Sequence, residues 1–211
     1  MDFTGFLGND AVKARLSGAF ASGRVAHSYL LCGPAGSGKH TLTRILSAAM
    51  QCEGRSGKIP CGVCSGCRKA LEGVHPDIIT VDDPDHKAMT VDPIRAARSD
   101  MFIRPNEGKR KIYIIPRGQD MNESAQNALL KILEEPPDYG VFLILSADEL
   151  KDIPLKREAE SLGALAKAQA SGDLLTLASR GRRCVHLHLP DNSGVTLRAL
   201  AAVIREILAE L

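Results

Sequence analysis

The sequence predicts an α/β fold, a parallel sheet sandwiched by helices, and three observations carry that prediction. A glycine-rich segment, Gly33-Pro34-Ala35-Gly36-Ser37-Gly38-Lys39-His40-Thr41, stands between an apolar run (Ser28 to Cys32) and an amphipathic stretch (Leu42 to Met50). Further apolar runs recur at 78–81, 111–115 and 141–146, with stretches of helical spacing between them. Four cysteines, Cys52, Cys61, Cys64 and Cys67, fall between the helix after the glycines and the second apolar run. Strands that alternate with helices make a parallel sheet, because parallel neighbours must be joined by crossovers.

Asp10 to Ala21 places apolar side chains at helical spacing, with Asn9 or Asp10 as its cap. Residues 23–27 lead into the first buried strand, and His27 reads as a solvated loop histidine. The glycine segment follows the strand, loop, helix order that a phosphate-binding loop needs. Glycines let successive N–H groups turn inward on an anion, the next helix adds its positive end, and Lys39 reaches the β- and γ-phosphates. Gly33, Gly36, Ser37, Gly38, Lys39, His40 and Thr41 are therefore the candidate nucleotide-binding residues. The pattern wants a hydroxyl directly after the lysine to hold magnesium. His40 stands there instead, and the hydroxyl comes one residue late at Thr41. Imidazole suits this oxygen-seeking ion badly.

The cysteines are spaced Cys-x8-Cys-x2-Cys-x2-Cys among glycines, which suits a closed tetrahedral thiolate site. We read Cys52, Cys61, Cys64 and Cys67 as ligands of a structural zinc ion. A short helix over 68–72 follows, then a buried strand over 78–81. Asp82 to Lys87 reads as a solvated polar turn. Val91 to Phe102 is a helix with Asp92 as cap, Pro93 in first position and Ile94, Ala97 and Met101 along one face. Lys109-Arg110-Lys111 is a solvated basic patch entering the strand 111–115.

Nucleotide hydrolases of this class close that strand on acidic residues that hold magnesium and polarise the attacking water. Here it closes on Pro116-Arg117, and Asp120 lies four residues past Pro116. With the loop hydroxyl also displaced, ATP with magnesium fits poorly as a hydrolysed substrate. Asn122 to Glu135 is a helix stopped by Pro136-Pro137, and 141–146 is the last clear parallel strand. Asp148 to Ala170 is charged, alanine-rich and of helical spacing. Residues 185–189 form a short alternating strand with His186 and His188 on one face, and Thr196 to Leu211 a terminal amphipathic helix.

Length and composition bound these readings. The 211 residues suit one large or two small domains, and 44% hydrophobic with 25% charged residues is ordinary for a soluble protein. A formal charge of +2 is too small to argue nucleic-acid binding by itself. With no run of 18 apolar residues and no leader pattern, a cytoplasmic protein without membrane contact is expected. Six cysteines then point to metal or free thiols before disulfides.

The residues resemble the bacterial DNA polymerase III clamp-loader subunits, delta-prime and the related gamma/tau, from about Phe3 to Ser146. The resemblance is carried by 27–31, the glycine loop, the four cysteines, His75-Pro76-Asp77, Ile94-Arg95 and, most specifically, Ala125 to Pro137 with its Asn-Ala-Leu-Leu-Lys-Ile-Leu-Glu-Glu-Pro-Pro run. It implies an AAA+ module with a small helical lid and usually a collar domain. Such a module works beside gamma/tau and delta subunits in an ATP-driven machine that loads the sliding clamp on primer-template DNA. Delta-prime subunits often lack the acidic pair and act as a stator, so Pro116-Arg117 points to that type. The alternatives are an active gamma/tau-type ATPase and a zinc-bearing DNA-binding module. The family's Ser-Arg-Cys motif matches Arg182-Arg183-Cys184, which puts Arg183 in the place of the arginine that reaches a neighbouring subunit's ATP. The implied organisation is a core over 1–147 with its knuckle at 52–67, an atypical helical stretch and final strand over 148–190, and the start of a lid or a terminal helix over 191–211. The collar is not represented, as in a truncated or deviant member.

Overall fold

Residues 1–54, 58–134, 139–146, 175–179 and 182–188 are described by the computed structural model. The expected proline stop after 134, the helical stretch 148–170 and the terminal helix 196–211 lie outside them. The elements run α1 (Asp10–Ala21), β1 (Ser28–Cys32), α2 (Lys39–Met50), α3 (Ser65–Glu72), β2 (Ile78–Thr80), α4 (Val91–Asp100), β3 (Lys111–Ile115), a 3-10 turn (Gly118–Asp120), α5 (Glu123–Glu134), β4 (Gly140–Ser146), β5 (Leu175–Ser179) and β6 (Arg182–His188).

All five residues of β1 are buried. The strand sits inside a sheet of order β2-β3-β4-β1-β6-β5. It pairs in parallel on both sides, with Ser28 opposite Phe142 of β4 and Cys184 of β6. Side chains alternate across it. Tyr29 and Leu31 join Ile112, Val141 and Leu143 against Leu16 of α1 and Leu42, Ile45 and Leu46 of α2. Leu30 and Cys32 join Tyr113, Ile115 and Phe142 against Ile94 of α4 and Leu129 and Ile132 of α5. Both faces are covered, which is why these strands read as unbroken apolar runs in the sequence.

Two strand expectations change. The second strand stops at Thr80 and is an edge, half-buried at Ile78 and Ile79 and exposed at Thr80. Residues 175–179, given no element of their own between the helical stretch and the final strand, form β5, antiparallel to β6 with Leu175 opposite His186. The Leu-Thr-Leu alternation has period two, and the neighbouring strand captures it.

Helix boundaries hold better than their caps. Asn9 flanks α1 with φ 55°, but its side chain makes no capping bond. Helix α4 begins at Val91, so Pro93 is its third residue and Asp92 is no cap. Pro93 is tolerated there because first-turn N–H groups have no partner inside the helix. Asn122 caps α5, its Oδ1 accepting the Ala125 N–H at 2.8 Å.

His75-Pro76-Asp77 pins the turn before β3. The fully buried Asp77 carboxylate accepts the backbone N–H groups of Asn106 (2.6 Å), Glu107 (2.9 Å) and Gly108 (2.7 Å). Its own N–H donates to His75 Nδ1 at 3.1 Å, and burial keeps that imidazole's pKa low. Burial works to raise the pKa of Asp77, but the N–H bonds outweigh it and hold the carboxyl below its usual value. Its contribution is therefore present above about pH 4 and lost as the pH falls through the depressed value. Asp77→Ala is expected to cost roughly 2 kcal/mol in denaturant unfolding at pH 7, because it removes the buried charged acceptor of three part-buried N–H groups. The penalty should shrink as the pH is lowered below 4, and a pH-independent penalty would contradict this account.

Candidate functional site

The glycine loop leaves β1 at the carboxyl edge of the sheet, and α2 begins at Lys39. Gly36 (φ 81°) and Gly38 (φ 88°) adopt the left-handed conformation that side chains disfavour. At Gly38 space is closed as well, since a Cβ would lie 2.8 Å from the Phe6 ring. Gly38 flanks the helix without a side-chain cap, which leaves first-turn N–H groups for an anion.

Lys39 is buried, and its ammonium folds onto the loop's own carbonyls, donating to Gly33 O, to Pro34 O at 2.7 Å and to Ser37 Oγ at 3.5 Å. Burial pushes its pKa down. A phosphate entering the loop would replace those carbonyls as the partner of the amine. Ser37 is buried with the loop, Thr41 is half-buried, and His40 is exposed on the first turn of α2.

At the tip of β3, Arg117 turns toward the loop between β2 and α4. Its guanidinium meets Asp82 Oδ1 through Nε at 2.9 Å and Nη2 at 2.7 Å. It also donates to the carbonyls of Asp83 (2.6 Å), Lys87 (3.3 Å) and His86 (3.4 Å). Asp120 lies 3.9 Å from Nη1. The loop 82–87 is solvated from Pro84 to Lys87, as expected, but Asp82 is half-buried and Asp83 is buried within it. Magnesium does not fit this edge: an imidazole stands at the hydroxyl place and a guanidinium at the strand tip.

The four cysteine sulfurs lie within 4.8 Å of one another, and Cys61 and Cys67 are 3.9 Å apart. Tetrahedral zinc with bonds of about 2.3 Å spaces its sulfurs about 3.8 Å apart, so the set fits that ion. Backbone N–H groups already point at the sulfurs. Gly54 and Cys61 donate to Cys52 (3.3 and 3.4 Å), Cys64 to Cys61 (3.4 Å) and Cys67 to Cys64 (3.4 Å). The N–H groups of Cys64 and Val63 hold the Cys61 thiol down to about 6, whereas burial pushes Cys67 up. Cys64 is also the N-cap of α3, so that helix starts inside the knuckle at Ser65 and not at Arg68.

Other candidates are dispersed. Lys111 is buried and paired with Asp100 at 2.7 Å, which breaks up the basic patch. His27 is half-buried, and its carbonyl accepts the Phe142 N–H at 2.8 Å, so it is tied into the sheet. Arg183 lies in β6 opposite Ala178 of β5, while His186 and His188 lie opposite Leu30 and Cys32 of β1. Sequence reasoning missed Phe6 and Asp82 as partners of this edge; neither belongs to a local motif.

Gly38→Ala should cost about 1–3 kcal/mol through strain and overlap with Phe6. Gly36→Ala, where a Cβ meets nothing within 4 Å, should cost only the strain. Thermal unfolding of both variants compares them, and equal losses would refute the Phe6 contact as the constraint.

The family described as DNA polymerase III, delta subunit, matches residues 8–154. The Escherichia coli (strain K12) DNA polymerase III subunit tau is 33% identical over 149 residues, covering 71% of this chain and 23% of that protein. The Bacillus subtilis (strain 168) subunit tau is 34% identical over 153 residues, covering 72% and 27%. The Mycobacterium tuberculosis (strain ATCC 25618 / H37Rv) subunit gamma/tau is 32% identical over 157 residues, covering 74% and 27%. Among solved structures, a DNA polymerase III gamma subunit-related protein from Thermotoga maritima superposes with a TM-score of 0.43 at 22% identity, covering 62% of this chain and 38% of that one. The chain spans about a quarter of the length of these curated relatives. With the family match running through the phosphate loop, the cysteine cluster and β3, the chain belongs to the DNA polymerase III delta-subunit family.

Proposed function

We propose that this chain is a clamp-loader subunit of delta-prime type, an AAA+ stator that does not hydrolyse ATP. In this reading it assists gamma/tau and delta subunits in loading the sliding clamp on primer-template DNA. The observation that carries it is the tip of β3, where Pro116-Arg117 replaces a carboxylate and the guanidinium is committed to Asp82. An edge without a metal ligand at that tip, and with His40 in the hydroxyl place, lacks the parts that position water and neutralise the leaving phosphate. The phosphate loop still offers N–H groups and Lys39, so nucleotide is held without turnover.

Two further assignments accompany this reading. Cys52, Cys61, Cys64 and Cys67 hold a structural zinc ion, whose chemistry there is cross-linking, since four thiolates close its coordination. Arg183, carried over from the resemblance, is the arginine offered in trans to a neighbouring subunit's nucleotide. The competing reading, an active gamma/tau-type ATPase, is favoured by the identity to tau and gamma/tau relatives.

The test is ATP binding and hydrolysis by the purified chain with magnesium, beside Lys39→Ala. Binding without turnover, weakened at least tenfold in Lys39→Ala, is the expected result, because the variant removes the only cation inside the loop. Magnesium-dependent turnover that disappears in Lys39→Ala would establish the gamma/tau type instead. Elemental analysis should find one zinc per chain, and Cys61→Ser should lower both zinc content and melting temperature. A full complement of zinc in that variant would remove Cys61 from the site.

A further inference from the structure

We propose that the loop between β2 and α4 is a pH-sensitive latch, in which His86 clasps Asp83 and so steadies the first turn of α4. The two oxygens of Asp83 have separate duties. Oδ2 accepts the Thr90 N–H at 3.2 Å and the Thr90 hydroxyl. Oδ1 meets His86 Nδ1 at 2.7 Å. Thr90 is the residue flanking α4, and its hydroxyl makes no cap bond to its own helix. Backbone bonds tie Met89 to Asp120 (2.9 Å) and Asn122 (3.0 Å) just before the helix; at Thr90 itself the side-chain anchor is one buried carboxylate, held in turn by an exposed imidazole, 63% accessible.

The remaining charges around His86 are accounted for. On its own loop stand Asp82, Asp85 and Lys87; from the end of β3 and the 3-10 turn come Arg117 and Asp120. Arg117 is bound to Asp82 and to the carbonyls of Asp83, His86 and Lys87. A guanidinium stays charged throughout the physiological range. One side of the loop is thus anchored at every pH, and the other side is closed by the single nearby group that titrates near neutrality.

Protonated His86 meets the Asp83 carboxylate as a full ion pair; the neutral ring donates a weaker bond to it, or turns a lone pair toward it. The hydrogen bond that His86 donates to Asp83, then the charges of Asp83 and Asp85, raise the His86 pKa above its ordinary value. The clasp is therefore complete below about pH 6.5 and loosens as the pH rises through the raised value. Because β2 runs parallel to β1 through β3 and β4, the latch stands on the same carboxyl edge as the phosphate loop.

The experiment is NMR amide exchange on the full chain from pH 5.5 to 8.5, corrected for intrinsic exchange, with the His86 ring resonances recorded in parallel. Thr90 protection should fall about two- to fivefold across the His86 titration, the range expected when an exposed ion pair is lost. In His86→Gln the profile should be flat at the low level. In Asp83→Asn the His86 midpoint should drop back toward about 6.5. A flat wild-type profile while His86 titrates would overturn the latch. So would a pH-dependent loss that persists in His86→Gln, which would assign it to another group.

Discussion

Burial of β1 on all five residues is the constraint from which the rest of the molecule follows. A strand covered on both faces and paired on both sides can only release the chain at its ends. Parallel pairing then puts the exits of β1, β2, β3 and β4 on one edge. The chain leaving Cys32 must turn back within a few residues so that α2 can cover Leu31 and Tyr29. Glycines at 36 and 38 allow that turn, and Phe6 closes over the second of them. The phosphate loop is thus also the cheapest way to end a buried strand beneath a packed helix.

The charges on that edge are settled among themselves. Lys39 is met by loop carbonyls, Arg117 by Asp82 and three carbonyls, and Asp83 by Thr90 and His86. A catalytic edge keeps charge aimed at the reacting group, preorganised and without an internal partner. Only Lys39, whose present partners are neutral carbonyls, is positioned to exchange them for an anion. In the proposed reading anion binding and chemistry therefore separate: the first needs the loop alone, the second needs an edge with charge left free for the reacting group.

What the sequence made legible was whatever has a local signature. Strands β1, β3 and β4 showed as apolar runs because both faces are covered. Helix α1 was read to its last residue from periodicity, and the cysteine cluster from spacing. The misses involve partners distant in the chain. Arg117 reaches Asp82 across 35 residues, and Asp77 reaches the turn at 106–108 across about 30. Lys111 looked like part of a solvated patch because nothing local announces Asp100 as its partner. Strand β5 was hidden because five residues beside a charged, alanine-rich stretch carry less pattern than the stretch itself. Cys64 was seen as a ligand but not as a helix cap, since sulfur is outside the usual capping set.

The replacement at the tip of β3 is coupled to its surroundings and is not a single exchanged letter. A carboxylate at position 117 would enter a neighbourhood that already holds Asp82, Asp83 and Asp120, with the guanidinium that balances them removed. Like charges at such spacing repel, and the carbonyls of Asp83, His86 and Lys87 would lose their donor together. Magnesium could relieve the repulsion only by taking these carboxylates as ligands, but Asp83 is committed to Thr90 at the start of α4. Restoring the acid alone would therefore loosen the loop without building a metal site. The edge is self-consistent as it stands, with a fixed side-chain cation, Arg117, balancing the carboxylates around it.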